Sequence, residues 1–176
     1  YKVFLDAGTM SEIDRRYLKN SVSFWKDMMA HPNRDDFWRK RAILPHLKNV
    51  APAVMVVTGW YDGEDLYGSF KTYQSIESRN PADKVNNVLV VGPWIHGGWA
   101  GMDGDRLGQV PFGSKTAAFY RAEIEFPFFE KYLKGKDLPA PAEATVFETG
   151  SNVWRAFDAW PPRETRKQSL YLRDNG

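Results

Sequence analysis

The sequence has 176 residues and a net charge of +2; 43% of its residues are hydrophobic and 26% are charged, which is typical of soluble globular proteins. The small net charge gives no argument for binding nucleic acid or an acidic membrane surface, and no apolar run approaches the roughly 18 to 20 residues that cross a bilayer. The absence of cysteine excludes disulfides, a thiolate nucleophile and cysteine-ligated zinc.

The N-terminal region predicts two helices. An irregular stripe of apolar side chains over residues 11–29 predicts the first, with Ser11 as its N-terminal cap. The second is predicted over residues 35–44, capped near Asn33 or Asp35 and ended by the proline that follows. We therefore expect helical structure ahead of any sheet.

A strand–helix–strand unit is predicted in the middle of the chain. Residues 53–58 and 88–91 are short apolar runs rich in β-branched side chains, which is typical of strands buried on both faces of a parallel sheet. Between them, apolar side chains recur at helical spacing after Asp65, a predicted cap, until Asn80 and Pro81 end the helix. This order predicts a βαβ unit with parallel strands.

A longer helix is predicted after the glycine-rich loop at residues 99–113. Ser114 is expected to open it, Pro127 to kink it and Gly135 to cap its C-terminal end. One face repeats apolar side chains at helical spacing, and we predict that this face is buried. The predicted buried stripe consists of Phe119, Ala122, Phe126, Phe129 and Leu133.

The character of the sequence changes near residue 140. A linker containing proline and alanine is followed by short runs rich in aromatic and β-branched residues, which predict antiparallel β-structure. Residues 140–176 offer too few strands for a closed sandwich. We therefore predict a domain boundary near residue 140, and we expect the chain to be a fragment of a longer protein.

The two predicted parallel strands end in unusual loops, GWYDGED at residues 59–65 and GPWIHGG at residues 92–98. Ligands of open α/β sheets bind outside the carboxyl ends of the strands, and parallel strands place Asp62 and His96 at the same edge, within hydrogen-bond reach. A carboxylate followed by a histidine is the order of the last two members of an α/β-hydrolase triad. The histidine would act as general base and acid, and the carboxylate would orient it.

Several stretches resemble a known family. GWYDGED and VLVVGPWIHGG look like the aspartate and histidine motifs of the X-Pro dipeptidyl-peptidase S15 group, which includes the cocaine esterase-like hydrolases, the glutaryl acylases and the α-amino acid ester hydrolases. FPFFEKYLKGK and VFETGSNVWRAFDAWPP extend the resemblance, which runs from about residue 34 to residue 161. The combined motifs are specific to the superfamily and much less specific about the substrate.

The resemblance implies an α/β fold class: a partial α/β-hydrolase fold, in which helices flank a parallel sheet, followed by the start of a β jelly-roll domain. It assigns residues 1–50 to the end of a helical cap region and the return to the sheet. Residues 51–139 would form the C-terminal part of the catalytic domain. Residues 140–176 would form the truncated start of the jelly roll.

The resemblance also implies roles for individual residues. Asp62 corresponds to the triad carboxylate and His96 to the triad base. Glu64 and Asp65 fall where α-amino acid ester hydrolases hold the α-ammonium group of the substrate. Two carboxylates beside a catalytic loop would attract an acyl donor that carries a free amine, so substrates with an α-amino acyl group are favoured.

Aromatic residues make up 15% of the sequence and include seven tryptophans, which predicts large buried rings or an aromatic-lined pocket. Several of these rings flank the two loops, and packing is the default interpretation for each of them. Tyr61 and Trp99 are the two that could instead line an acyl pocket and bind substrate.

One part of the family pattern is missing, because no G-x-S-x-G motif occurs in the sequence. The family carries its nucleophile on this strained turn. Ser69 lies in a predicted helix, Ser114 at the start of another, and Ser151 in a predicted β-turn. We expect the triad serine upstream of this chain, and we expect the chain alone to be inactive, since the members of a triad act as a unit.

Two other interpretations remain open at this stage. A non-catalytic aromatic-rich module could bind a carbohydrate or a partner protein, and it predicts no contact between Asp62 and His96. A metal-dependent hydrolase could use Asp62, Asp65 and His96, whereas the triad needs neither a metal nor an organic cofactor. Asp103 and Asp105 lack the remaining ligand spacing of a calcium loop and indicate a turn.

The expected partner is a small-molecule ester, amide or peptide substrate, and neither nucleic acid nor a membrane. The full-length protein could form a homo-oligomer. The resemblance does not fix the compartment but favours a periplasmic or secreted bacterial protein over a cytoplasmic one, with any export signal upstream of this chain.

Overall fold

The computed structural model describes residues 1–81 and 86–172. The chain divides into two compact units, Tyr1–Ile43 and Leu44–Gly176. In the described part of the chain, no helix is both long and apolar enough to cross a membrane. The predicted α/β fold class is confirmed, because the second unit contains a mixed sheet with flanking helices.

The first unit is helical, but the predicted helix over residues 11–29 is interrupted. Lys19 and Asn20 adopt left-handed backbone angles, with φ of 50° and 59°, so one helix ends before the next begins. The cap is Thr9 rather than Ser11, since the Thr9 hydroxyl accepts a backbone N–H of the first turn at 3.3 Å. The elements are α1 (Lys2–Ala7), α2 (Met10–Ile13), a π-helical continuation (Asp14–Leu18), α3 (Ser23–Ala30) and α4 (Asp36–Arg39).

The second predicted helix is much shorter than expected. Asp35 caps α4, and its Oδ1 accepts the backbone N–H of Phe37 at 2.9 Å, which agrees with one of the two predicted cap positions. The helix then stops after a single turn instead of continuing to Leu44. Leu44–His46 form a separate 3₁₀ turn that includes Pro45.

The second unit contains the sheet and the helices that cover it. Its strands are β1 (Val54–Gly59), β2 (Asn87–Gly92), β3 (Arg106–Leu107), β4 (Val110–Pro111), β5 (Ala144–Glu148) and β6 (Val153–Phe157). Its helical segments are a 3₁₀ turn (Leu44–His46), α5 (Leu66–Arg79), α6 (Gly98–Gly101), α7 (Thr116–Phe119), a π-helical segment (Tyr120–Glu125) and α8 (Phe126–Tyr132).

The strand order of the main sheet is β1-β2-β5-β6, and β3 pairs with β4 separately. β1 and β2 are parallel, as predicted, with Thr58 opposite Val91 and Gly59 opposite Gly92. All residues of β2 are buried, as expected for a strand that is covered on both faces. Because the register is level, the loops that follow β1 and β2 leave the sheet side by side at its carboxyl edge.

Side chains on the two faces of β2 belong to different hydrophobic cores. Leu89 and Val91 pack with Tyr73 of α5 on one face. Val90 packs with Ala117 and Tyr120 on the other. The sheet is therefore held between α5 and the helix that begins at α7, and this packing fixes where the strand ends lie.

The predicted boundary near residue 140 does not separate two sheets. β5 pairs in parallel with β2, and β6 pairs antiparallel with β5. The proline-containing linker follows the end of α8, and after it the chain returns to the same sheet. The domain boundary near residue 140 stays a prediction. Residues 168–172 form no strand, and residues 173–176 lie outside the described residues. The assignment of residues 140–176 to a jelly-roll domain stays a prediction.

The predicted buried stripe of the long helix is exposed, and this prediction was wrong. Phe126, Phe129 and Leu133 are 59%, 47% and 77% exposed, and Phe119 and Ala122 are exposed as well. The helix has a second apolar face, and sequence periodicity alone could not choose between the two. A π-helical segment, Tyr120–Glu125, interrupts the α-helix between α7 and α8. The residues buried instead are Thr116, Ala117, Tyr120, Phe128 and Glu130.

Candidate active site

Asp62 occupies the turn that follows β1. Its backbone N–H donates to the carbonyl of Gly59 at 3.1 Å. Its Oδ1 accepts the backbone N–H groups of Glu64 and Asp65, each at 2.9 Å, so the side chain closes the turn as aspartate often does. The side chain is only 1% exposed. The carboxylate is therefore held in a fixed orientation, out of water, at the carboxyl edge of the sheet.

His96 follows β2 and reaches the same place. Its Nδ1 lies 3.0 Å from Oδ2 and 3.2 Å from Oδ1 of Asp62. An ionised carboxylate can only accept, so Nδ1 carries the hydrogen and donates it, which leaves Nε2 as the acceptor of the neutral ring. The His96 side chain is 51% exposed, and Nε2 makes no hydrogen bond within the described residues. Half of the imidazole side chain is thus open to solvent.

Glycines at both strand ends allow the two loops to approach each other. A Cβ at Gly59 would lie 2.1 Å from the carbonyl oxygen of Trp94, and one at Gly92 would lie 2.4 Å from the Trp94 ring. The backbones are also joined: the Trp60 N–H donates to the Gly92 carbonyl at 2.9 Å, and the Tyr61 N–H donates to the Trp94 carbonyl at 3.1 Å. These contacts bring the carboxylate loop against the imidazole loop.

Electrostatics in the pair favours the charged form of each partner. Burial by itself would raise the pKa of Asp62, but the backbone N–H groups of Asp65 and Glu64, together with His96, lower it overall. The pKa of His96 is raised from its ordinary value of 6.5, first by the hydrogen bond to Asp62 and then by the charge of that carboxylate, with smaller contributions from Glu64 and Asp65. The site is built to stabilise an imidazolium beside a carboxylate.

The other predicted site residues lie in the same two loops or directly after them. Glu64 and Asp65 are exposed, and their charges act on His96. Tyr61 is 42% exposed, and the ring centroid of half-buried Trp99 lies 6.3 Å from that of His96. Asp65 takes the N-cap position of α5, as predicted, but its side chain makes no capping hydrogen bond. Its Oδ1 lies over the first turn of α5, where a Cβ at Gly68 would be 2.4 Å from it.

Comparison with protein families identifies the family of the chain. Residues 4–98, more than half of the chain, match the family model described as X-Pro dipeptidyl-peptidase (S15 family). The chain belongs to the S15 family. The family is of the serine-hydrolase type, with esterases and peptidases among its relatives.

Individual S15-like proteins resemble most of the chain. The cocaine esterase of Rhodococcus sp. (strain MB1 Bresler) is 29% identical over 155 residues, 85% of this chain and 25% of the esterase. The crystal structure of an aminopeptidase from the marine sediment archaeon Thaumarchaeota archaeon is 34% identical, with a TM-score of 0.86, and the match covers 100% of this chain and 29% of that one. An α-amino acid ester hydrolase is 30% identical, with a TM-score of 0.75, over 90% of this chain and 26% of that one. This S15 chain thus spans about a quarter of the length of its curated relative.

Ser69, Ser114 and Ser151 of this S15 chain do not lie in the two loops that carry Asp62 and His96. Ser69 is in α5 and Ser114 precedes α7. Ser151 lies in the turn between β5 and β6, where its hydroxyl donates to the carboxylate of Glu148 at 2.5 Å. In the described ranges no serine hydrogen-bonds to His96.

The alternative metal site finds no support in the described residues, where no group of three or more histidine, aspartate or glutamate side chains is placed to hold an ion. Both oxygens of Asp62 face N–H donors of the protein instead. Asp103 lies in the irregular segment between α6 and β3. Its carboxylate pairs with Lys115 at 3.0 Å, and its carbonyl accepts the backbone N–H of Ala117 at 3.0 Å.

Aromatic side chains line a cavity that starts at the end of β1. Its volume is about 240 Å³, and its walls include Trp60, Phe157 and Trp160. Tyr61 and Trp99, predicted to line an acyl pocket, do not line this cavity. Their role in binding substrate stays a prediction.

Sequence analysis missed two residues that connect the loops to the body of the fold. Trp94 is 3% exposed, and its indole N–H donates to the hydroxyl of Thr116 at 2.9 Å. The position of Trp94 between a strand end and His96 was a signal that could have been used. No local pattern marks Thr116, because the contact spans 22 positions of the chain.

Proposed function

We propose that this chain supplies the carboxylate and the base of a Ser–His–Asp triad in a serine hydrolase that cleaves ester or amide bonds, peptide bonds included. His96 acts as general base and then as general acid, while Asp62 orients the imidazole and stabilises its charged form. The observation that carries the proposal is the 3.0 Å contact between Asp62 Oδ2 and His96 Nδ1, made at the carboxyl edge of a parallel sheet. The reaction as proposed uses neither a metal nor an organic cofactor.

The unequal burial of the two side chains supports this division of roles. Asp62 is almost fully buried, whereas half of the His96 side chain is open. When His96 takes a proton from a nucleophile at Nε2, the positive charge that forms lies beside a carboxylate that is already ionised. The proton then remains available at an open position, from which it can pass to the leaving group.

The nucleophile is proposed to come from polypeptide outside these 176 residues. Two observations support this: no described serine hydrogen-bonds to His96, and the sequence contains no G-x-S-x-G motif. The chain by itself is therefore expected to be inactive, because losing one member of a triad removes most of the rate enhancement.

The proposed substrates carry an α-amino acyl group. Glu64 and Asp65 present two exposed carboxylates in the loop that holds Asp62, where they would attract an α-ammonium group. The two solved relatives are named as an aminopeptidase and an α-amino acid ester hydrolase. We assign the ammonium-binding role to this acidic pair and the acyl-pocket role to Tyr61 and Trp99.

A chimera tests the proposal. In the archaeal aminopeptidase, the segment that superposes on this chain is replaced by these 176 residues, and hydrolysis of an α-amino acyl p-nitroanilide and the matching p-nitrophenyl ester is measured. Both substrates are expected to be cleaved. His96→Ala is expected to abolish cleavage of both, and a chelator is expected to leave it unchanged.

Ser69→Ala is the matched control, because Ser69 lies in α5 and makes no hydrogen bond to His96 within the described residues, so it should be dispensable. The proposal fails if His96→Ala retains the activity of the parent chimera, or if Ser69→Ala abolishes it while the fold is preserved.

A further inference from the structure

We infer that Trp94 and Thr116 are positioning residues for His96. The Trp94 indole N–H donates to the Thr116 hydroxyl at 2.9 Å, and that hydroxyl donates to the carbonyl of Gly104 at 2.6 Å. This chain of hydrogen bonds holds the loop that presents the imidazole to Asp62. The inference rests on the proposed function, since positioning matters to catalysis only if His96 is the base.

Trp94 is placed to control both loops of the site. It lies between the end of β2 and His96, and its ring centroid packs 5.3 Å from that of Tyr120 and 5.9 Å from that of Trp154. Its carbonyl accepts the backbone N–H of Tyr61 at 3.1 Å, the residue that precedes Asp62. A displacement of Trp94, backbone and ring together, would therefore move the carboxylate loop and the imidazole loop together.

Thr116 fixes the orientation of the indole because its hydroxyl both accepts and donates a hydrogen bond. The side chain is fully buried, and its oxygen accepts from Trp94 while its hydrogen goes to Gly104. A Cβ at Gly104 would lie 2.6 Å from this oxygen, so the turn leaves no space for a different partner. A hydroxyl satisfies both neighbours through a single oxygen, which a methyl group of valine cannot do.

These contacts stabilise one orientation of the ring rather than only filling space. The groups are buried, so water cannot replace a lost partner, and an unmade bond would leave a buried donor or acceptor unsatisfied. Valine in place of Thr116 would keep the packing but would remove the acceptor of the indole N–H. The indole could then rotate toward another acceptor. The imidazole would then lose its fixed distance to Asp62.

The first experiment measures proton binding by His96 in the 176-residue chain, by following the imidazole resonances against pH in NMR spectra. Thr116→Val is expected to weaken proton binding about threefold, because the imidazole is held less closely against the carboxylate. Thr116→Ser keeps the hydroxyl and is expected to restore the titration of the unmodified chain.

Thr58→Val is the matched control. Thr58 is also fully buried, but its hydroxyl has no hydrogen-bond partner within the described residues, so the same chemical change removes no bond. The pKa of His96 in the Thr58→Val variant is expected to equal that of the unmodified chain. If Thr116→Val also matches the unmodified chain, the inference is overturned.

Asp62→Asn separates this inference from the proposed function. If Asp62→Asn does not lower the pKa of His96, the pair itself is wrong and both ideas fail. If it does lower that pKa while Thr116→Val leaves it unchanged, only the positioning role fails. In the chimera, Thr116→Val is expected to lower kcat and to leave KM unchanged, as expected for a residue that acts on the base and not on the substrate.

The unmodified chain gives an independent measurement if the valine variant does not fold. The Trp94 indole N–H is expected to exchange slowly with deuterium, because it is buried and bonded to Thr116. Exchange as fast as that of an exposed indole would overturn the inference.

Discussion

The two loops of the candidate site hold their side chains in opposite ways. Asp62 accepts backbone N–H groups within its own loop and is 1% exposed, whereas His96 is anchored by a single side chain and is 51% exposed. The carboxylate loop is therefore a fixed, dehydrated support. The imidazole loop presents a side chain that is open to solvent. Under the proposed function, this difference assigns positioning to the loop after β1 and proton transfer to the loop after β2.

The largest effect is expected from removing the charge of the fixed support. Asp62→Asn keeps an oxygen that can accept from Glu64 and Asp65, but its amide cannot stabilise an imidazolium or hold the correct tautomer. In the chimera, kcat is expected to fall about 10⁴-fold. Asp103→Asn, which changes a carboxylate elsewhere in the unit, is the control. Equal activities of the two variants would show that the burial of Asp62 has no catalytic purpose.

The next effect is expected where the two loops touch. Gly59→Ala places a Cβ 2.1 Å from the Trp94 carbonyl oxygen, so backbone atoms must move, and the free energy of unfolding is expected to fall by about 3 kcal/mol. Gly63→Ala is the control, because a Cβ there meets nothing within 4 Å. Urea unfolding of both variants measures the difference. Equal stabilities would mean that the loops are not in close contact in solution.

A smaller effect is expected in the pH dependence of stability. The raised pKa of His96 means that the folded state binds its proton more tightly. The stabilisation is therefore complete below the ordinary His value of 6.5 and is lost as pH rises through the raised value. The lowered pKa of Asp62 acts at the acid end, where stabilisation is lost as pH falls through that value. Urea midpoints of the unmodified chain and His96→Gln, compared between about pH 6 and about pH 9, should converge as pH rises.

The smallest effect is expected from the exposed acidic pair. Changing Glu64 to Gln and Asp65 to Asn together should lower the pKa of His96 by less than Asp62→Asn does, since both charges are exposed and screened by salt. The NMR titration should show a difference that shrinks at high ionic strength. In the chimera, KM should rise for an α-amino acyl ester and stay constant for the ester that lacks the amine. An equal change for both esters would contradict the ammonium-binding role.

Much of the site region could be predicted because its signals are local. Each local signal indicates one kind of backbone structure. These signals are the apolar runs of β1 and β2, the asparagine and proline that end α5, and the glycines at the end of each strand. Parallel pairing then places Asp62 and His96 at one edge, and the structure brings them to 3.0 Å. That prediction needed only strand direction and level register.

The parts that failed depend on choices between similar local alternatives. The helix after Lys115 has two apolar faces, and only the packing against Val90 selects the face with Ala117 and Tyr120. The parallel pairing of β5 with β2 was also not predicted, because it depends on tertiary contacts and not on local sequence. The bond between Trp94 and Thr116 is equally invisible to periodicity, because it joins positions distant in sequence.

The strand order has a consequence for handling the protein. β1 is the edge strand of its sheet. Within the described residues, the N–H and C=O groups of β1 that point away from β2 pair with no other strand. Its sequence, VMVVTG, is β-branched and free of charge and proline, which makes such an edge a template for pairing between molecules. The 176-residue chain alone is therefore expected to self-associate through β1 at high concentration. Light scattering would compare self-association of the 176-residue chain with that of longer chains. Less self-association of a longer chain would show that its additional residues cover the β1 edge.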